Sequence, residues 1–67
     1  MINLTQRECE VLHYIILGKS NAEIAKVLFI TRHTVKAHVS AILEKLSAKN
    51  RVEAAVKAVK LGINKTP

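Results

Sequence analysis

Apolar residues recur at helical spacing in four stretches, and each stretch follows a Ser, Thr or Asn. In the first, Val11, Leu12, Ile15 and Ile16 share one face of a helix. Thr5 stands ahead of it with Glu8 three residues on, the spacing of a capping box, and Leu4 precedes the cap as a staple. Gly18 is placed to end this helix in the left-handed region, so the first helix is predicted over 6–17. Ser20 and Glu23 repeat the box and open a second helix over 21–28, with Ile24, Ala25, Val27 and Leu28 expected to face inward.

A third helix is predicted over 32–46. Val35, Val39, Ile42 and Leu46 recur at spacings of four, three and four, a narrow apolar stripe widened by Leu43. Asn50 and Glu53 open a fourth helix over 51–61, which ends before Gly62. That helix is apolar on two sides: Val52, Ala55, Val56 and Val59 form one stripe, and Ala54, Ala58 and Leu61 a second. A chain of 67 residues cannot bury both within its own fold, so one stripe is expected to meet another molecule.

Strand signals are absent. The fold class is therefore all-α, a four-helix bundle-like domain. Only Phe29 and Ile30 separate the second helix from Thr31, the cap of the third, so the two meet through a tight turn and form a helix-turn-helix over about 21–40. At this length the chain is one domain, 1–67, with a polar tail at 64–67 expected to be flexible.

Charge makes the picture more specific. The chain carries a formal net charge of +6, from eleven Lys and Arg against five acids. All five acids lie outside the block from Ile24 to Leu43, where Lys26, Arg32, Lys36, His33 and His38 are the ionisable groups. A merely solvated helix face mixes signs, whereas segregation of this kind is the footprint of a polyanionic partner. On the third helix the side opposite the apolar stripe presents His33, Ala37, Ser40 and Glu44, flanked by Lys36. Small side chains there let the backbone approach base edges in a major groove. Lys36 can donate to guanine, and the Ala37 methyl can meet a thymine methyl.

Other chemistries find little support. The chain has no nucleophile–base pair, no paired carboxylates and no Gly-rich phosphate loop, so it is read as a non-enzyme. His33 and His38 fall on different faces, and no metal site is expected. Cys9 is expected to be a half-buried packing residue. There is no signal-peptide pattern, and no apolar run approaches the ~18 residues of a membrane span.

The segments LTQRECEVL, SNAEIAKVL, TVKAHVSAILEKL and NRVEAAVKA, at this spacing, resemble the LuxR-type helix-turn-helix domain. This is the DNA-binding output domain of NarL/FixJ-type response regulators and quorum-sensing regulators, and the resemblance runs from about Leu4 to Ile63. It implies sequence-specific binding of double-stranded DNA in the bacterial cytoplasm, without a cofactor and with no membrane partner. Lys36 and Ala37 match the main base-contacting pair, Ser40 a third base-facing position, and His33 lies on the same face. Thr34, His38, Ser20 and Asn21 match phosphate-contacting positions, with Thr31 and Arg32 beside them. Val52, Val56 and Val59 match a seam through which members form a homodimer, which makes Ala54, Ala58 and Leu61 the core stripe, with Ala55 between the two.

RNA polymerase is a further expected partner if the regulator is an activator. Members carry a receiver or ligand-binding domain ahead of this one, so the chain is expected to be either a fragment or a free-standing regulator. Phe29 stands where many members have Gly, and a positive φ there would strain it. Two other functions fit the residues: a sigma-factor region-4-like promoter reader, and a helical adaptor whose basic face docks an acidic protein.

One helix start is unlike the rest. Thr31 has Thr34 where the other three starts have Glu. A carboxylate there would face phosphates. Thr34 instead can donate to one, at a helix terminus whose dipole favours an anion.

Overall fold

Thr5, Ser20, Thr31 and Asn50 each stand in extended backbone, and each side chain accepts the backbone N–H three residues ahead. The computed structural model describes residues 3–63; the tail at 64–67 lies outside the described residues. The four caps start α1 (Gln6–Ile16), α2 (Asn21–Leu28), α3 (Arg32–Lys45) and α4 (Arg51–Leu61). Among the described residues no strand forms. In α1 and α2 the box is reciprocal: Glu8 takes the Thr5 N–H at 2.9 Å and Glu23 takes the Ser20 N–H at 2.8 Å. In α4 only half the expected box forms. Asn50 accepts from the Glu53 N–H at 2.9 Å, but the Glu53 carboxylate takes the N–H of Lys49 instead, at 3.3 Å.

All four helices end the same way. A residue in the left-handed region follows the last turn, and the next N–H reaches back five residues: Lys19 to Tyr14, Ile30 to Ala25, Ala48 to Leu43 and Ile63 to Ala58. Gly18 and Gly62 take this conformation without a side-chain clash. Phe29, at φ 57, and Ser47, at φ 53, take it against their preference. α1 and α3 each stop one residue short of expectation, at Ile16 and Lys45, because Leu17 and Leu46 are already the caps of these turns.

The core is a small aliphatic cluster. Val11, Leu12 and Ile15 come from α1, Ile24 and Ala25 from α2, Val35, Val39 and Ile42 from α3 with Leu46 at its cap, and Ala54 and Ala58 from α4. Each fully buried Leu or Ile contributes about 1.5–3 kcal/mol of transfer free energy. α3 is the hub, packed against α1, α2 and α4, while α1 also packs on α4. The alanines of α4 let its backbone sit close to the cluster.

Two expected core residues are not core. Val27 is 48% exposed, since Ile24, Ala25 and Leu28 centre the inward face of α2 and Val27 falls roughly 110° from that centre at ~100° per residue. Leu61 is 58% exposed although it lies in line with Ala54 and Ala58. It is the last residue of α4, and after the turn at Gly62 the side chain of Ile63 packs on the core instead.

Polar ties between helices complete the frame. Lys45 of α3 meets the buried Glu8 of α1 at 2.7 Å and the Asn3 carbonyl at 3.2 Å. Two causes hold the Glu8 carboxyl below its ordinary value of 4.5: the Lys45 hydrogen bond first, then the Thr5 N–H. Lys57 of α4 donates to the carbonyls of Leu46 and Ser47 at 3.2 and 2.6 Å, closing the end of α3. Lys57 is half-buried at this joint.

Candidate nucleic-acid interface

α3 is held from behind by Val35, Val39 and Ile42, which lie at or below 9% exposure. That fixes its opposite side toward solvent. His33, Lys36, Ala37, Ser40 and Glu44 are all exposed there, while Thr34 and His38 are half-buried on the flanks. The first four of these exposed groups belong to the N-terminal ten residues of the helix, and no acid occurs before Glu44. Among the described residues, the paired carboxylates engage Arg7, Lys45 and Lys57, and none engages Lys26, Arg32 or Lys36. Lys26, Arg32 and Lys36 therefore form no ion pair among the described residues.

Local hydrogen bonds decide which nominated donors are available. The Thr31 hydroxyl accepts the Thr34 N–H at 3.0 Å and lies 2.9 Å from the Thr34 hydroxyl. One of the two hydroxyls donates to the other, leaving one hydroxyl proton free for a third group. With no carboxylate in this turn, the Thr31 backbone N–H is left without the reciprocal bond formed in α1 and α2. Ser20 sits at the start of α2 with its oxygen accepting the Glu23 N–H at 3.1 Å. Glu23 is turned back onto Ser20. The Ser20 N–H, then its hydroxyl, lower the carboxyl below the ordinary 4.5, which keeps this acid engaged locally.

Asn21 carries a partner that no local spacing announces. Arg51, the first residue of α4, donates to the Asn21 Oδ1 at 2.6 Å and to the Lys19 carbonyl at 2.8 Å. The two residues lie 30 apart in sequence, so only the packed fold brings them together.

The connection between α2 and α3 is equally distinctive. Phe29 sits at φ 57 and ψ 43 with its ring 93% exposed. On α4, Val52, Val56 and Val59 are 70%, 47% and 52% exposed, so this stripe is not part of the core. Val56 and Val59 line a shallow groove with Ile16, Ala55 and Lys60; Val52 lies outside it.

The family model for bacterial regulatory proteins of the luxR family matches residues 2–58. The chain belongs to the luxR family. Its helix-turn-helix is thus of the DNA-binding type found in transcriptional regulators. It is 54% identical over 61 residues to the Bacillus subtilis protein named uncharacterized transcriptional regulatory protein YhcZ, covering 91% of this chain and 28% of that one. It is 52% identical over 56 residues to the transcriptional regulatory protein LiaR of B. subtilis, covering 84% and 26%. Among solved structures, the Vibrio cholerae VqmA dimer described in the absence of target DNA superposes with a TM-score of 0.91 at 30% identity, over 94% of this chain and 28% of that one. The luxR-family domain described here therefore spans under a third of the length of each of these proteins. No helix among the described residues is long and apolar enough to cross a membrane.

Proposed function

We propose that this luxR-family domain is the sequence-specific, duplex-DNA-binding output domain of a bacterial transcriptional regulator. α3 enters the major groove by its N-terminal half. Lys36, Ala37, Ser40 and His33 face base edges, while Thr34, His38, Ser20, Asn21, Thr31 and Arg32 lie along the phosphates. Two copies pair through Val52, Val56 and Val59 of α4 and read half-sites about one helical turn apart. The setting is the bacterial cytoplasm, with RNA polymerase a further partner if the regulator activates.

The observation that carries this reading is the acid-free, exposed start of α3, with no ion pair at Arg32 or Lys36 among the described residues, on a domain of this family. Its basic groups answer phosphates, and its small residues admit the backbone to the groove. The exposed valine stripe on α4, in a chain too small to cover it, supports pairing. The similarity to the VqmA dimer, a LuxR-type receptor with a target DNA, supports it by analogy.

The test begins with selection of a site from a random duplex library, followed by anisotropy titrations on the selected duplex across a salt series. Affinity should fall with salt at a log–log slope of about −0.9 per phosphate neutralised. A flat response, with no sequence enriched in the selection, would return the domain to a protein-binding role.

A further inference from the structure

Arg51 is placed where the DNA-binding reading would not look for a functional residue. It is the first residue of α4, the helix assigned to pairing, yet both ends of its guanidinium fork are spent on the start of α2. α2 and α4 are not among the closely packed helix pairs, although both contribute to the common core, so this polar tie is a direct link between them. Arg51 and Asn21 are both half-buried, which limits the alternatives open to either side chain.

The chemistry of the pair has a directional consequence. A guanidinium carries donors only, so the Asn21 atom 2.6 Å from Nη1 must be the amide oxygen. The amide is planar. With its oxygen held by Arg51, the NH2 group is turned to the other side and offers donors alone. An unrestrained Asn presents oxygen or nitrogen to a neighbour with equal ease, and the oxygen repels a phosphate. At this corner the Ser20 N–H is engaged with Glu23 and the Ser20 hydroxyl accepts the Glu23 N–H, so the Asn21 NH2 adds two donors beside the one Ser20 hydroxyl proton.

We propose that Arg51 is a positioning residue for DNA binding: it locks Asn21 with its donors outward toward a phosphate and ties the pairing helix to the phosphate-gripping end of α2. This rests on the duplex-binding reading above. Arg51 itself stays on Asn21 and Lys19 and makes no phosphate contact.

The experiment measures affinity for a duplex carrying a single half-site, so that pairing does not enter, for the wild-type chain and for Arg51→Met, Arg51→Lys, Asn21→Ala and Arg51→Met with Asn21→Ala. Losing one charge-directed hydrogen bond is expected to weaken binding about tenfold. Each single variant should show that loss, and the double variant should be no weaker than Asn21→Ala alone. Arg51→Lys should behave like Arg51→Met, because an ammonium keeps the charge but not the fork. The salt slope of both Arg51 variants should match that of the wild type.

A direct phosphate contact by Arg51 would instead leave Arg51→Lys near wild-type affinity, lower the slope in Arg51→Met and make the double loss additive. That result overturns the proposal. So does wild-type affinity in Arg51→Met. If Arg51→Met fails to fold by circular dichroism, Arg51→Lys decides on the same criteria. A wild-type chain that binds no selected duplex refutes the function itself, and this proposal with it.

Discussion

Replacing Thr34 with Glu sets folding and binding against each other at one position. In α1 and α2 the cap hydroxyl accepts an N–H at 3.1 Å, and the Glu three residues on returns a bond to the cap N–H at 2.9 and 2.8 Å. α3 has the first bond, at 3.0 Å, and lacks the second. Thr34→Glu supplies it and adds a negative charge to the first turn, at the loss of the 2.9 Å contact between the Thr31 and Thr34 hydroxyls. The net gain is about 0.5–1 kcal/mol. In a domain this small that raises the thermal midpoint by about 2–8 °C.

In the proposed complex the same change removes a donor to phosphate, worth about 1.5–3 kcal/mol, and brings a like charge near one, which costs about 1 kcal/mol more even at the dielectric of water. Affinity for the selected duplex should therefore fall by roughly 100-fold or more. Thr34→Gln is the control. It completes the box without the charge, so binding should fall by the lost hydroxyl alone. Thermal melts by circular dichroism and anisotropy at fixed salt read the two effects separately. A Thr34→Glu variant that binds within twofold of wild type would refute the argument, because Thr34 would then not face a phosphate.

Three further outcomes follow from the geometry. Glu8→Gln should cost about 1.5–3 kcal/mol at neutral pH; because the folded carboxyl is depressed, its contribution is present above the unfolded value of 4.5 and is lost as pH falls through the folded one. Urea titrations should thus show wild type and variant converging in acid, and an unchanged gap would contradict the Lys45 pairing. Phe29→Gly should stabilise the domain by about 0.5–1 kcal/mol, since a 93% exposed ring at φ 57 carries strain and little packing; destabilisation in the same melts would show that the ring is packed. Val56→Asp should leave the melt unchanged, as this side chain is 47% exposed, and should abolish cooperative binding to a duplex with two half-sites; retained cooperativity would remove the α4 seam.

What was legible in the sequence was local. The four helix starts rest on interactions between residues three apart, and all four stand where Thr5, Ser20, Thr31 and Asn50 put them. The apolar stripe of α3 and the exposed valines of α4 follow from period and family likeness together. Helix ends were legible where a following signal marked them: the cap at Thr31 bounds α2 at Leu28 and Gly62 bounds α4, while Gly18 places the end of α1 to within one residue and a left-handed Ser47 has no signature in its residue type. Interhelical ties were not legible at all. Lys45 with Glu8, Lys57 with Leu46 and Ser47, and Arg51 with Asn21 depend on how helices dock, which spacing does not encode. Leu61 failed for a related reason, since its angular position is right but the core ends before it.

In the proposed complex α3 reads bases through the exposed group around Lys36. Lys36→Ala, titrated by anisotropy on the selected duplex and on a random-sequence duplex of equal length at the same salt, tests it most directly. The expected result is a loss of about 1–3 kcal/mol on the selected duplex, relaxed preference at one base position, and a much smaller loss on random sequence. Equal losses on both duplexes would make Lys36 a phosphate contact only, and would contradict the placement of α3 in the groove.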